Sequence, residues 1–383
     1  MHVQPFLSWD FILPGTRGFT EDGGSYIYHE PHGIRLVVEP CRKVGPILHG
    51  DRPWEAQGVG WAQVMRDGGK LRLWYGCYGE DREEGLAYAQ SDDDGATWTK
   101  PTLGVCEYRG SRENNLVLNM HGCSHTCVLI DPTSAPSHRY RAIMFKAWWE
   151  GEPGEILDND EGHRRLDAKN AAEPGESYLP VSLRGRVFGH HSPDGLRWTM
   201  RDEPILDEWH DSFNQCFYDA RKKKYIGYWR GFYGGRRAVA YNESDDFEHM
   251  QPTRCIHHHL VTDRPDASLY SPGYTRYPGR DDIHLMFNGV YRQVTDTVDG
   301  QLAVSLDGVN WSSHTDHPII PCGEPGDPDQ GSVYPGPELT ACTDDTFRMI
   351  LRSSGLYHNQ GYLSAYRRKE SSAFYQWAVW DAH

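Results

Sequence analysis

Apolar and polar positions along this chain alternate in short runs rather than in helical stripes. One such run starts at Gly58: GVGWAQVM, the turn RDGGK, LRLWYG, then GLAYAQ and SDDDGATW ending at Trp98. The same order returns from Thr126 (TCVLI, YRAIMFKAWW, RVFGHH, SPDGLRW) and from Asn214 (NQCFY, YIGYWRGFY, RRAVAYNE, SDDFEHM). It returns again from Leu269 (LYSPGYTRY, IHLMFNGVY, QLAV, SLDGVNW) and from Gly331 (GSVYPGPELTAC, TFRMILRSSGLYH, GYLSAY). Each unit predicts three strands rich in Val, Ile, Tyr, Phe and Trp, separated by Gly, Asp and Pro turns. A fourth strand after each tryptophan completes a sheet, and repetition at a long period points to sheets arranged around a common axis.

The expected fold is therefore all-β: a five-bladed β-propeller of four-stranded antiparallel blades, in one domain. The blades are expected over residues 52–120, 121–210, 211–265, 266–328 and 329–383. Residues 1–51 contain SYIYHEPHGIRLVVEP, which can donate a strand to the last blade and so leave no open edge. The polar stretch 151–182 interrupts the second unit and reads as an insertion loop, either a disordered excursion or a lid.

The Ser-Asp-Gly-Trp turns have a local reading. Ser and Asp side chains bond nearby backbone N–H groups, Gly takes a positive φ, and Trp packs between blades. Asp94, Asp194 and Asp307 are thus structural, as are the hairpin residues Asp67, Asp131 and Asp219.

Propeller topology narrows the search for chemistry. Residues just before each innermost strand share one face: Glu55, His121 and His125, Asp211 and Asn214, Asp266 and Tyr270, and Asp329. Aligning LWYG, MFKA, YWRG, MFNG and ILRS adds Tyr75, Lys146, Arg230, Asn288 and Arg352 at the ends of the second strands. Trp148, Trp149, Tyr233, Tyr291, Tyr357 and His358 follow in the same links, and aromatic rings at a polar mouth suit a sugar face. Cleaving a glycosidic bond normally takes one protonated and one ionised carboxyl group. Glu55, Asp211 and Asp329, from three different blades, are the expected catalytic set, with Asp266 and Glu338 in reserve. The expected substrate-binding residues are His125, Lys146, Trp148, Asn214, Arg230, Asp266, Tyr270, Asn288, Arg352 and His358.

Composition narrows the class further. The 39 basic and 54 acidic residues give a formal charge of -15, with no long Lys/Arg run, which argues against a nucleic-acid partner. A small carbohydrate is the expected partner; a homo-oligomer is left open. No apolar run reaches the ~18 residues of a membrane span, and the first residues lack a signal-peptide pattern. The nine cysteines read as free thiols in a cytoplasmic, reducing compartment. Cys123 and Cys127 bracket His125, but no second ligand pair follows, so no metal and no cofactor is expected.

The first turn, SDDDGATW, resembles the Asp box of sialidases. With YAQSDDDGATWTKP, LGVCEYRGSRENNLVL and HSPDGLRW, the repeat layout from Trp54 to about Tyr366 is similar to the five-bladed propeller glycoside hydrolases of families 32 and 43. The resemblance implies hydrolysis of a terminal furanoside, such as a fructoside or arabinoside, or a related glycoside. The Trp-Met-Asn-Asp-Pro-Asn-Gly, Arg-Asp-Pro and Glu-Cys motifs of family 32 are absent, so no catalytic residue carries over. Three alternatives remain: a sugar-binding propeller without catalysis, a glycoside phosphorylase using Lys146, Arg230 and Arg352 for phosphate, and a sialidase using Arg230, Arg352 and Tyr270.

Overall fold

The computed structural model describes residues 17–19, 21, 25–27, 37–80, 84–119, 125–173, 180–259, 263–314, 317–359 and 373–382. His121 and Cys123 lie outside them. The all-β expectation holds, with several four-stranded antiparallel sheets. A short ribbon pairs β1 (Arg17–Phe19) with β2 (Ser25–Ile27), and β3 (Arg42–His49) follows. The first sheet runs β4 (Gly58–Asp67), β5 (Lys70–Tyr78), β6 (Glu84–Ser91) and β7 (Leu116–Asn119). The second contains β8 (Cys127–Ile130), β9 (Tyr140–Glu150), the two-residue β10 (Ile156–Leu157), β11 (Ser182–Ser192) and β12 (Thr199–Leu206). The third runs β13 (Gln215–Asp219), β14 (Lys224–Tyr233), β15 (Arg236–Ser244) and β16 (Arg254–His257).

In the last two sheets the first strand is broken. The fourth has β17 (Ala267–Ser271) and β18 (Tyr274–Arg276) both pairing with β19 (His284–Arg292), then β20 (Thr297–Ser305) and β21 (Ser312–His314). The fifth has β22 (Ser332–Pro335) and β23 (Thr340–Ala341) on β24 (Thr346–Ser354), then β25 (Phe374–Asp381). Pro272 and Pro337 stand at the two breaks, where a residue without an N–H cannot continue the ladder. The outermost strand of the fifth sheet is β3, which pairs antiparallel with β25. Chain start and chain end thus share a sheet, and a single parallel pair, Val298 with Ser332, joins the fourth sheet to the fifth.

Burial explains the sequence pattern. Strands β4, β5 and β14 are buried on both faces and read as near-continuous apolar runs, whereas β3 is mostly exposed and carries Arg42 and Lys43. Trp74, Tyr75, Tyr228, Trp229 and Tyr375 are fully buried between sheets. Each such ring removes roughly 200 Å² from water, about 5 kcal/mol before entropy is counted.

Two devices link neighbouring sheets. Gln63 of β4 accepts from the Val128 N–H (2.7 Å) and donates to its carbonyl (2.6 Å), clamping β8. Gln215 of β13 does the same to Tyr274 of β18 (2.6 and 2.8 Å). The Thr275 hydroxyl accepts from the Leu339 N–H (3.0 Å), and Arg352 of β24 donates to the Val59 carbonyl of β4 (2.9 Å). With β8 packed on β13, the first strands touch in turn, and the fifth sheet reaches the first. The second device is the Ser-Asp-Gly turn. Ser91, Ser192 and Ser305 each accept from the N–H of Gly95, Gly195 or Gly308 (2.8, 2.9 and 2.9 Å). These glycines have φ of 82°, 76° and 74°. Their carbonyls accept from Trp377, Trp74 and Tyr228 of the preceding sheets (3.0, 2.7 and 2.8 Å). A Cβ at any of them would sit 2.5–2.9 Å from those rings, so only glycine fits.

The insertion in the second sheet is partly helical. Helix α1 (Asn159–Ala171) starts at Asp158, whose side chain accepts from the Glu161 N–H (2.8 Å). Its Gly162 lies against the Trp149 ring, and β10 pairs with Trp149 and Glu150. Among the described residues no helix is long and apolar enough to cross a membrane.

Candidate active site

Side chains from all five sheets meet at one place. Trp61 of β4 stacks on Phe213, just before β13, with ring centroids 5.3 Å apart, and on Tyr270 of β17 at 6.3 Å. It meets Tyr334 of β22 edge-on at 5.1 Å. One residue of the first sheet therefore touches the third, fourth and fifth. His125, before β8, brings in the second: after burial, the groups that act on its imidazole are Asp211, Arg230 and Arg352. Trp61, Tyr270 and Tyr334 sit on first strands, while Phe213 and His125 stand just before theirs.

Around these rings stand three guanidinium groups. Arg230 (β14) and Arg237 (β15) lie 5.0 and 5.3 Å from the Tyr270 ring centre, and Arg352 lies 5.2 Å from that of Tyr334. Arg230 is held from below by Asn214, whose side-chain oxygen accepts its backbone N–H (2.8 Å). Its guanidinium donates to the Asp211 backbone carbonyl and pairs with the Asp211 carboxylate at 3.3 Å. His358 sits between Tyr270 (4.8 Å) and Tyr291 (4.7 Å) and bonds the Tyr334 hydroxyl (2.6 Å). Burial, with Arg237, Arg352 and Arg230 nearby, pushes the His358 imidazole down to about 4. Burial first, then Arg230 and Arg352, also hold His125 below its ordinary value, against the pull of Asp211. Both imidazoles are neutral at pH 7 on this account.

A second carboxyl group lies among the first strands. Glu338, in the break between β22 and β23, has a φ of 74°. Burial raises its pKa from 4.5 to about 7, opposed only by the charge of Arg66. No hydrogen bond or ion pair reaches its carboxyl among the described residues. It is half-buried, so solvent touches it. Glu338 acts electrostatically on Cys127, and Asp211 acts on His125, two residues earlier.

The three expected catalytic carboxylates have separate partners. Asp211, half exposed, is in the aromatic and arginine cluster. The Glu55 side chain is fully buried, accepting from Lys100 (2.7 Å), Tyr75 (2.6 Å) and the Asp51 N–H (3.0 Å). Asp329 is buried against the ring-closing strands, accepting from Lys43 of β3 (2.5 Å) and Gln376 of β25 (2.8 Å). The expected meeting of the three is not what the contacts describe: Glu55 and Asp329 each have a lysine of their own, and none of the three shares a partner with another.

Of the expected binding residues, His125, Arg230, Tyr270, Arg352 and His358 lie in the cluster. Asn214 braces the 210–212 loop and Asn288 bonds Pro272 and His257, both buried. Lys146 lies by Phe188, Trp148 by Arg186, and Asp266 pairs with Arg264. Sequence reasoning passed over Trp61, Phe213, Arg237, Tyr334 and Asp296. Arg237 follows a Gly-Gly hairpin turn and matches no equivalent in the other repeats. Trp61 and Tyr334 look like any other inward strand aromatic. Among the described residues no group of three or more His, Cys, Asp or Glu could hold a metal ion.

No protein-family model and no curated protein matches this chain in sequence. Solved structures do match in fold. A structure titled "Glycoside hydrolase" aligns over 89% of this chain and 92% of its own, with a TM-score of 0.56 and 13% identity. A thermostable family-43 glycoside hydrolase aligns over 84% and 88%, with a TM-score of 0.52 and 11% identity. A glycosyl hydrolase from Bacteroides ovatus aligns over 92% of both chains, with a TM-score of 0.50 and 12% identity. At such identities the likeness is one of fold.

Proposed function

We propose that this chain is a five-bladed β-propeller glycoside hydrolase that removes a terminal sugar from an oligosaccharide or glycoside. The observation that carries the proposal is the aromatic and arginine cluster to which side chains of separate sheets converge, with the Asp211 carboxylate paired to Arg230 at 3.3 Å within it. Burial raises the pKa of Glu338, in the break of the fifth sheet's first strand, to about 7, and Asp211 pairs with Arg230. A carboxyl group whose pKa is raised by burial is suited to act as the general acid. Glu338 donates its proton to the glycosidic oxygen as the C–O bond breaks, and Asp211 faces the positive charge growing on the sugar ring. Water adds to the anomeric carbon and restores both groups for another cycle. Trp61, Phe213 and Tyr270 supply the apolar ring surface a sugar face stacks on. The cyclic contacts among first strands support the five-bladed ring, and the fold shared with glycoside hydrolases supports the reaction class.

The test is turnover of aryl glycosides, beginning with arabinofuranosides, fructofuranosides and xylosides. Glu338→Gln and Asp211→Asn are each expected to lower kcat by more than about 100-fold with the fold intact, neither variant melting much below wild type. Binding of sugars without consumption, or full activity in Glu338→Gln, rejects the assignment.

A further inference from the structure

The cluster holds more positive charge than its own carboxylates use. Arg230, Arg237 and Arg352 come from β14, β15 and β24, yet all three act electrostatically on His358. Arg230 alone has a carboxylate partner, Asp211. Among the described residues neither Arg237 nor Arg352 forms an ion pair, and Arg352 spends only its Nε, on the Val59 carbonyl. The Nε atoms of Arg230 and Arg237 are buried with no hydrogen-bond partner. The other nearby carboxylate, Asp296, is engaged by the Tyr291 hydroxyl and by both nitrogens of Asn359. Among the described residues two carboxylates therefore face three guanidiniums, which leaves one positive charge over. Arg237, Arg352, Tyr270 and His358 are all partly open to solvent.

Desolvated guanidiniums without partners are costly, and they are retained where an oxyanion completes them. In a chain of net charge -15, a cationic cup is a local reversal of sign. From this geometry we infer that the sugar taken by the site is acidic: its carboxylate binds between Arg237 and Arg352 while its ring rests on the aromatic cluster. The inference rests on the glycoside-hydrolase reading for its sugar but not on any catalytic residue. A phosphate ion offers similar oxygens, so the test separates the two sources.

Calorimetric titration of the whole protein with D-galacturonate and D-glucuronate, their neutral parents, their methyl esters and inorganic phosphate decides the matter. Uronates are expected to bind at least about 10-fold tighter than the parents and the esters, since charged hydrogen bonds are lost with the charge. Arg237→Gln and Arg352→Gln are expected to abolish that preference while keeping weak binding of the neutral sugars. The esters change the ligand alone, so the comparison stands even where a variant fails to fold. Equal binding of acid and ester, or a preference unmoved in Arg237→Gln, overturns the inference, as does phosphate binding without uronate binding. Binding needs no turnover, so the two readings fail separately. Hydrolysis of neutral glycosides with no uronate preference rejects only the acidic substrate. Uronate preference with full activity in Glu338→Gln rejects only the catalytic assignment.

Discussion

Glu338→Gln should make the protein more stable at alkaline pH. Below pH 4.5 the carboxyl is protonated in folded and unfolded chains alike, and the wild type bears no penalty. Between 4.5 and about 7 the unfolded chain ionises while the folded one keeps its proton, so stability falls as pH rises; above 7 the loss is complete. A gap from 4.5 to about 7 corresponds to about 3 kcal/mol. For a chain of 383 residues the unfolding entropy near the midpoint is roughly 0.8 kcal/mol per degree, so the loss equals about 4 °C in Tm. Glutamine has nearly the same shape and no charge to bury. Thermal melts of wild type and variant at pH 4 and pH 8 should agree at pH 4 after correction for a constant offset. At pH 8 the variant should melt about 4 °C higher relative to wild type. Parallel curves across that range would mean that Glu338 titrates normally, and the protonated acid at the centre of the mechanism would go with it.

Three further outcomes follow from the packing. Gly308→Ala should cost about 1–3 kcal/mol, because φ is 74° and the new Cβ would stand 2.8 Å from the Tyr228 hydroxyl; a denaturation midpoint unchanged from wild type would contradict the turn device. Lys100→Met leaves the Glu55 carboxylate buried without its cation, at about 3–5 kcal/mol, and adding Glu55→Gln should recover much of that in urea titrations. Asp94 is held at about 2, chiefly by the Thr343 hydroxyl and then by Arg66, linking the first sheet to the fifth. Asp94→Asn should lose about 1–2 kcal/mol at pH 7 once solvent screening is allowed for. The difference should vanish as pH falls from 3.8 to about 2, and a difference that persists at pH 2 would point to lost packing instead.

What the sequence by itself determined is local. Alternation and turn residues act within a few positions, so the strands of the first four repeats were legible, and so was the Ser-Asp-Gly turn; in the fifth repeat the expected GYLSAY strand lies outside the described residues and Phe374–Asp381 pairs with β24 instead. The helix Asn159–Ala171 was missed, although Asp158 before it and Glu161 in its first turn stand at capping spacing, because its surroundings are polar throughout. The partners of the charges were decided by the tertiary structure. Glu55 meets Lys100 across 45 residues and Asp329 meets Lys43 across 286, and no pattern along the chain encodes which lysine arrives. Glu338 stood in the sequence only as a reserve candidate behind Asp266. Its raised pKa comes from first strands of several sheets closing around it, and desolvation depends on what surrounds a group in space, not on its neighbours in sequence.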